Sequence, residues 1–265
     1  MTTGRTINKF SRVYIDGYDM SCYARSIGPL SCQFQEGIDD PLCQSLTGVW
    51  LGQATISPGT LNGIFDNTSD TGAHAILKTV GVDRDVLVAL GIQAVPAIGD
   101  PVFAGQFRQS DYITGPGETP SIFTVKFSPS TAGGAIYNYA MPWGVLLHDN
   151  SNSTDVYAGL GVDNPTGAAT TKGGWMMYQV LNAAGAGDIT ATLKVQDAST
   201  DENADYADLL STGVINLGAA GVYVATSGAV ALAYTATVRR FVRWQLVLGT
   251  ATEVTFVLAF FRNYI

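Results

Sequence analysis

The chain has 265 residues, enough for one large β domain or two modest ones, so core size sets no limit. Only 14% of residues are charged, against roughly 25% in a typical soluble domain. A net charge of −8 with only 14 Lys and Arg argues against specific nucleic-acid binding, which needs clustered cations to neutralise phosphates.

A monomer usually keeps itself in solution with a mixed charged surface, and charge depletion marks interface cores. The composition therefore points to a protein that covers much of its surface with neighbours. Residues 1–10 are polar, with no apolar core of signal-peptide length. The longest weakly polar stretch, 219–234, is broken by Thr226-Ser227-Gly228 and falls short of a spanning helix. The expectation is a protein made and kept in a cytoplasm, with no membrane partner. Cys22, Cys32 and Cys43 are odd in number and form no CxxC, so they read as free, mostly packed thiols.

Short alternating segments separated by Gly, Pro, Asn and Asp run through the chain, the mark of a sandwich or barrel. Val13-Tyr14-Ile15, then Asp16-Gly17, then Tyr18 reads as a hairpin. Asp-Gly suits a type I′ turn, which needs positive φ at both central residues. Ile27-Gly28-Pro29 is a turn. Asp40-Pro41-Leu42 looks like a capped helix start, ending near Gly48 with Leu42 and Leu46 buried. In 71–80, Ala73, Ile76, Leu77 and Val80 follow helical spacing, with Gly81 placed to end the helix.

Strands are expected at 85–90, 102–107 and 122–127; in the last, Phe123, Val125 and Phe127 point one way and Thr124 and Lys126 the other. The Ser/Thr/Gly-rich stretch 128–134 is a boundary, followed by an aromatic strand at 136–141. Residues 149–155 and 164–174 read as polar loops. Residues 175–181 are apolar apart from Gln179, and in 189–195 Ile189, Ala191, Leu193 and Val195 alternate with polar residues. Further strands are expected at 222–225, 230–234, 238–248 and 254–261. The last is greasy on both faces and must be covered on both, by the fold itself or by a neighbouring subunit. The fold class is mostly β: a sandwich or barrel with one or two short helices, and a second β-sandwich unit. The units divide as 1–134 and 135–265, or form one intimately mixed fold.

Chemistry is sparse. His74 and His148 are isolated, and no HxxxH, HExxH, GxSxG or P-loop pattern occurs. Gly115-Pro116-Gly117, Gly159-Leu160-Gly161 and Gly185-Ala186-Gly187 open no helix and read as turns rather than phosphate loops. The segment from Asp149 to Asp155 supplies oxygens at alternate positions, but Thr154 and Leu160 stand where a calcium loop wants Gly and Glu. Asp201, Glu202, Asp205 and Asp208 sit in one turn-like stretch, best read as a solvated hairpin loop. Trp50, Trp143, Trp175 and Trp244 fit cores and interfaces better than a sugar-binding face. No catalytic, cofactor or metal residue is assigned, and an enzyme is not expected.

The opening 11–21 (SRVYIDGYDMS), with 55–63 (TISPGTLNG), resembles the first part of tail proteins from long-tailed phages. The stretch 237–244 (TVRRFVRW), followed by a turn and a final apolar strand, resembles the closing hairpin of β domains in phage virion proteins. Tail-tube, or major tail, proteins are the family implied. The resemblance implies stacked homo-oligomeric rings, usually hexameric, whose strands join into an inner barrel that passes DNA. It also implies other tail proteins as partners and a place in the virion tail. DNA would be non-specific cargo, and an acidic bore would limit its sticking. The expected subunit-interface residues are Trp50, Phe256, Phe260 and Phe261. A head decoration or connector protein, and a host-carbohydrate-binding module, are the alternative readings.

Overall fold

The computed structural model describes residues 8–39, 48–92, 94–115, 120–130, 141–154 and 157–263. The expected helix at 40–48, apart from Gly48, and the boundary at 134 lie outside the described residues, as do Cys43 and all of the expected 136–141 strand but Met141.

The chain opens with β1 (Ser11–Ile15) and β2 (Tyr18–Asp19), joined by Asp16 and Gly17 at φ 51° and 82°. The expected I′-type turn is therefore present. β3 (Ala24–Gly28) ends at a cis Gly28–Pro29 bond and leads into β4 (Ser31–Asp39), β5 (Gly48–Ser57) and β6 (Thr60–Ile64). A five-residue helix, α1 (Ala73–Leu77), buries Ala73, Ile76 and Leu77 as expected. It stops before Val80, which is exposed. Side chains from the sheet bind its last carbonyls: Arg84 Nη2 donates to Ile76 O at 2.8 Å, and Gln109 Nε2 donates to Leu77 O.

β7 (Asp83–Leu90), β8 (Pro101–Gly115) and β9 (Ile122–Pro129) follow, with Phe123, Val125 and Phe127 inward and Lys126 outward as the alternation requires. β10 (Trp143–Ser153) runs through most of the expected polar loop, so 149–153 is strand. Two short strands, β11 (Tyr157–Ala158) and β12 (Val162–Asp163), precede β13 (Gly174–Gly185) and β14 (Asp188–Ala198). Ile189, Ala191, Leu193 and Val195 are all buried. β15 (Ala207–Ser211), β16 (Ile215–Ala219) and β17 (Val222–Tyr223) come next. β17 is shorter than expected, and Val222 is 63% exposed. β18 (Thr226–Ala231) crosses the Thr226-Ser227-Gly228 break instead of starting after it. β19 (Phe241–Leu248) and β20 (Ala251–Arg262) close the chain.

The named strands pair antiparallel, and the mostly β architecture agrees with the expected sandwich or barrel. The largest sheet runs β18-β13-β20-β10-β8-β7-β1-β2, with β9, β6 and β3 branching from β8. The long β8 pairs with β10 and β7 through its first half and with β9 through its second, so it belongs to both halves of the chain. A second sheet, β11-β19-β14-β16-β17 with β12 and β15 attached, covers the C-terminal part of the first.

The period of two sorts side chains into three cores. Along β20, Val254, Phe256, Leu258 and Phe260 enter a core shared with the second sheet; Val257, Ala259 and Phe261 enter another on the opposite face. Along β7, Val86 and Val88 face an N-terminal core with Phe103, Phe107 and Phe123, whereas Leu87 and Ala89 face the opposite side. That third core joins Tyr14, Leu87 and Val102 to Leu146, Trp175 and Phe261, so the main sheet turns back on itself. Trp175 stacks on Phe261 at 4.0 Å there. The two-sided greasiness of β20 is thus satisfied within one chain. Among the described residues no helix is long and apolar enough to cross a membrane.

Candidate functional site

Both histidines and most of the acidic stretch have structural occupations. His148 is buried and stacked on Phe256 at 3.8 Å; its Nδ1 meets Phe256 O at 2.9 Å and its Nε2 meets Ser153 Oγ at 3.2 Å. Burial pushes its pKa down, so the ring is held neutral. His74 Nδ1 pairs with Tyr112 Oη at 2.9 Å beside Phe65. The acidic stretch is a tied loop: Asp205 Oδ2 accepts the Ser199 and Thr200 N–H groups at 2.7 Å each, and Asp208 pairs with Lys194 at 2.6 Å. Tyr206 donates to Asp201 and lies under the Arg243 guanidinium.

Gly159 is needed for packing, since a Cβ there would sit 2.0 Å from Trp244 Nε1. Trp175 and Trp244 are core residues, while Trp143 is 38% exposed. Cys22 and Cys32 are free, the first exposed and the second partly buried. Among the described residues no cluster of His, Cys, Asp or Glu is placed to hold a metal.

A buried polar seam joins the two halves of the chain, and sequence reading missed it. Gln179 lies fully buried on β13; its Oε1 accepts the Gly17 N–H, and its Nε2 donates to Asp85 O at 3.0 Å. Gly17 has to lack a side chain, because a Cβ would meet Thr226 N at 2.6 Å and Val180 O at 2.8 Å. Asp85 is 9% exposed; it accepts from Ser227 Oγ at 2.7 Å and Gln106 Nε2 at 3.2 Å. The neighbouring Arg84 turns instead to Asp16 at 2.8 Å. With no cation on it, the Asp85 carboxyl is pushed up by burial. The one sequence signal was Gln179, a lone amide in an apolar run.

The element best suited to act outside the fold is the β4–β5 hairpin. It forms a sheet of its own, from Ser31 opposite Ser57 to Asp39 opposite Gly48. Nine to ten residues at about 3.3 Å each make an arm about 30 Å long. A bulge between Phe34 and Glu36 bends it. Its base is anchored by buried Ile56 and by Ser57 Oγ, which donates to Phe127 O at 3.5 Å. Beyond that anchor, among the described residues, no strand pairs with either outer edge. Gln33, Gln35, Glu36, Ala54 and Thr55 are exposed.

Of the expected interface residues, Trp50 lies on this hairpin opposite Gly37. Phe256, Phe260 and Phe261 require a correction. They are 0%, 1% and 0% exposed inside the chain's own cores, so they present nothing to a neighbour. The structure does not bring these four residues together.

No family model matches the chain, and no curated protein does. Among solved structures, a similar one is the SPP1 Dit (gp 19.1) protein, described as a paradigm of the hub adsorption apparatus in phages infecting Gram-positive bacteria. The likeness covers 96% of this chain and 99% of that one, at 11% identity and a TM-score of 0.30. Another is the VP2 subviral particle of infectious bursal disease virus, at 9% identity and a TM-score of 0.29, covering 99% of this chain and 70% of that one. The two neighbours are thus a phage tail hub protein and a viral VP2 particle.

Proposed function

We propose that the chain is a non-enzymatic virion structural protein, a subunit of a phage tail tube that stacks as rings around a DNA-conducting channel. The observation that carries this reading is the β4–β5 hairpin. A two-stranded ribbon is marginal in water by itself, and its open edges are templates for another strand. A second copy of the chain supplies such strands in a fixed geometry, and a closed ring of copies leaves no edge free. The low charge content and the tail-protein wording at both ends of the chain agree with this. The net charge of −8 suits a bore that DNA must pass without sticking.

The test is to place a lysine on the exposed hairpin at Gln33, since charge on an edge strand blocks strand addition. Gln33→Lys should leave the thermal midpoint of the monomer unchanged and abolish higher-order species in sedimentation velocity. Assembly that proceeds as in wild type would refute the hairpin's role. At physiological salt the assembled protein should also fail to retard duplex DNA in a gel.

A further inference from the structure

A cleft of about 420 Å³ opens where the β1–β2 hairpin meets β10, β13 and β20. Tyr18, Asp19, Tyr23, Asn150, Asn182 and Thr255 are among its lining residues. Asp19 is held in place: Oδ1 accepts the Ser21 N–H at 2.9 Å and Oδ2 accepts from Asn150 Nδ2 at 3.0 Å. Each of those oxygens keeps a second lone pair. Among the described residues, the Tyr18, Tyr23 and Thr255 hydroxyls and the Asn182 amide make no hydrogen bond within the protein.

The lining chemistry narrows the ligand. No Lys or Arg side chain lines the cleft, so it has nothing to neutralise a phosphate or carboxylate. It is too rich in hydroxyls and amides to favour a lipid tail, whose entry would strip them of water. A neutral, hydroxyl-rich ligand fits both facts. Its hydroxyls match a carboxylate and amides, which accept and donate in pairs, and its C–H surface matches tyrosine rings.

We propose that this cleft is a saccharide-binding site, with Tyr18 and Tyr23 supplying aromatic surface and Asp19, Asn150 and Asn182 bonding sugar hydroxyls. The site is separate from the β4–β5 hairpin and goes beyond an assembly role. A subunit that carries it presents a weak sugar contact wherever the cleft stays open in the particle, and many copies would add up by avidity.

The experiment is a glycan array of defined bacterial-surface mono- and oligosaccharides, probed with the purified full-length chain, followed by titration of the best sugar. Wild type should bind at least one neutral sugar. Asn182→Ala, a change at an exposed position, should weaken it about tenfold, the worth of one or two hydrogen bonds. Tyr23→Phe should weaken it less than Tyr23→Ala. Trp143→Ala, at an exposed aromatic outside the cleft, should leave binding unchanged. The proposal is overturned if wild type binds no sugar, if Asn182→Ala and Tyr23→Ala bind as wild type does, or if only Trp143→Ala loses binding. Thermal midpoints confirm that each variant is folded, and Asn182→Ala decides the matter if Tyr23→Ala is not.

Discussion

Asp85 and His148 are two buried titratable groups that push stability in opposite directions with pH. Burial raises the Asp85 carboxyl above its ordinary value of about 3.9. Its protonated form is therefore favoured by the fold, and its contribution is fully present below about 3.9 and lost as pH rises through the raised value. Asp85→Asn, which keeps a side chain for Ser227 and Gln106 to bond, should raise the thermal midpoint at pH 8 by about 2–4 °C, the equivalent of about 1 kcal/mol. The difference should vanish near pH 4. A variant less stable than wild type at pH 8 would mean that the charged carboxylate holds the seam together.

His148 works the other way. The fold holds it neutral and lowers its pKa, whereas the unfolded chain takes up a proton near about 6.5. Its contribution is present above about 6.5 and lost as pH falls through the depressed folded value. His148→Phe should reduce the loss of stability between pH 7 and pH 5, read as thermal midpoints against wild type. An unchanged slope would show that the ring takes up its proton equally in the folded and unfolded chain.

At the scale of elements, what the sequence made legible depended on how regularly each segment alternated. β14 shows an unbroken period of two and lies where expected, and β9 points its three apolar side chains inward as read. The helix was placed correctly but ended early, because Arg84 and Gln109 reach its carbonyls from distant strands. That long-range capping has no local signature. Arg84 also bonds Asp16 and Gln109, so Arg84→Met should cost about 2–3 kcal/mol in denaturant unfolding. It should also speed amide exchange over 73–77 selectively. Uniform exchange across the chain would argue against a capping role.

The β4–β5 hairpin was the main omission. Cys32 and Phe34 alternate with Gln33 and Gln35, but the run is short, it lacks β-branched residues, and Gly37 and Asp40-Pro41 interrupt the reading. Tertiary register, not local pattern, defines it. The seam was legible only as Gln179, since Asp85 and Ser227 stand 142 residues apart in the chain, and Gly17 and Gln179 stand 162 apart.

For the whole molecule, the third core is the feature that changes the reading most. An apolar strand without alternation is the same in sequence whether a second sheet or a second subunit covers it, and here β20 is covered by its own chain. Phe260→Ala should therefore cost about 3–5 kcal/mol in the unfolding of the monomer itself. A stability loss seen only in assembled material would place that ring at a subunit contact instead. With β20 accounted for, the case for self-assembly rests on the hairpin and the low charge, and it no longer needs an unsatisfied core.

That case is tested most directly by negative-stain electron microscopy of the purified chain at high concentration. Rings or stacked tubes with a central hole wide enough for duplex DNA are the expected result. A field of separate single subunits, unchanged on concentration and on addition of a tail tip, would contradict it.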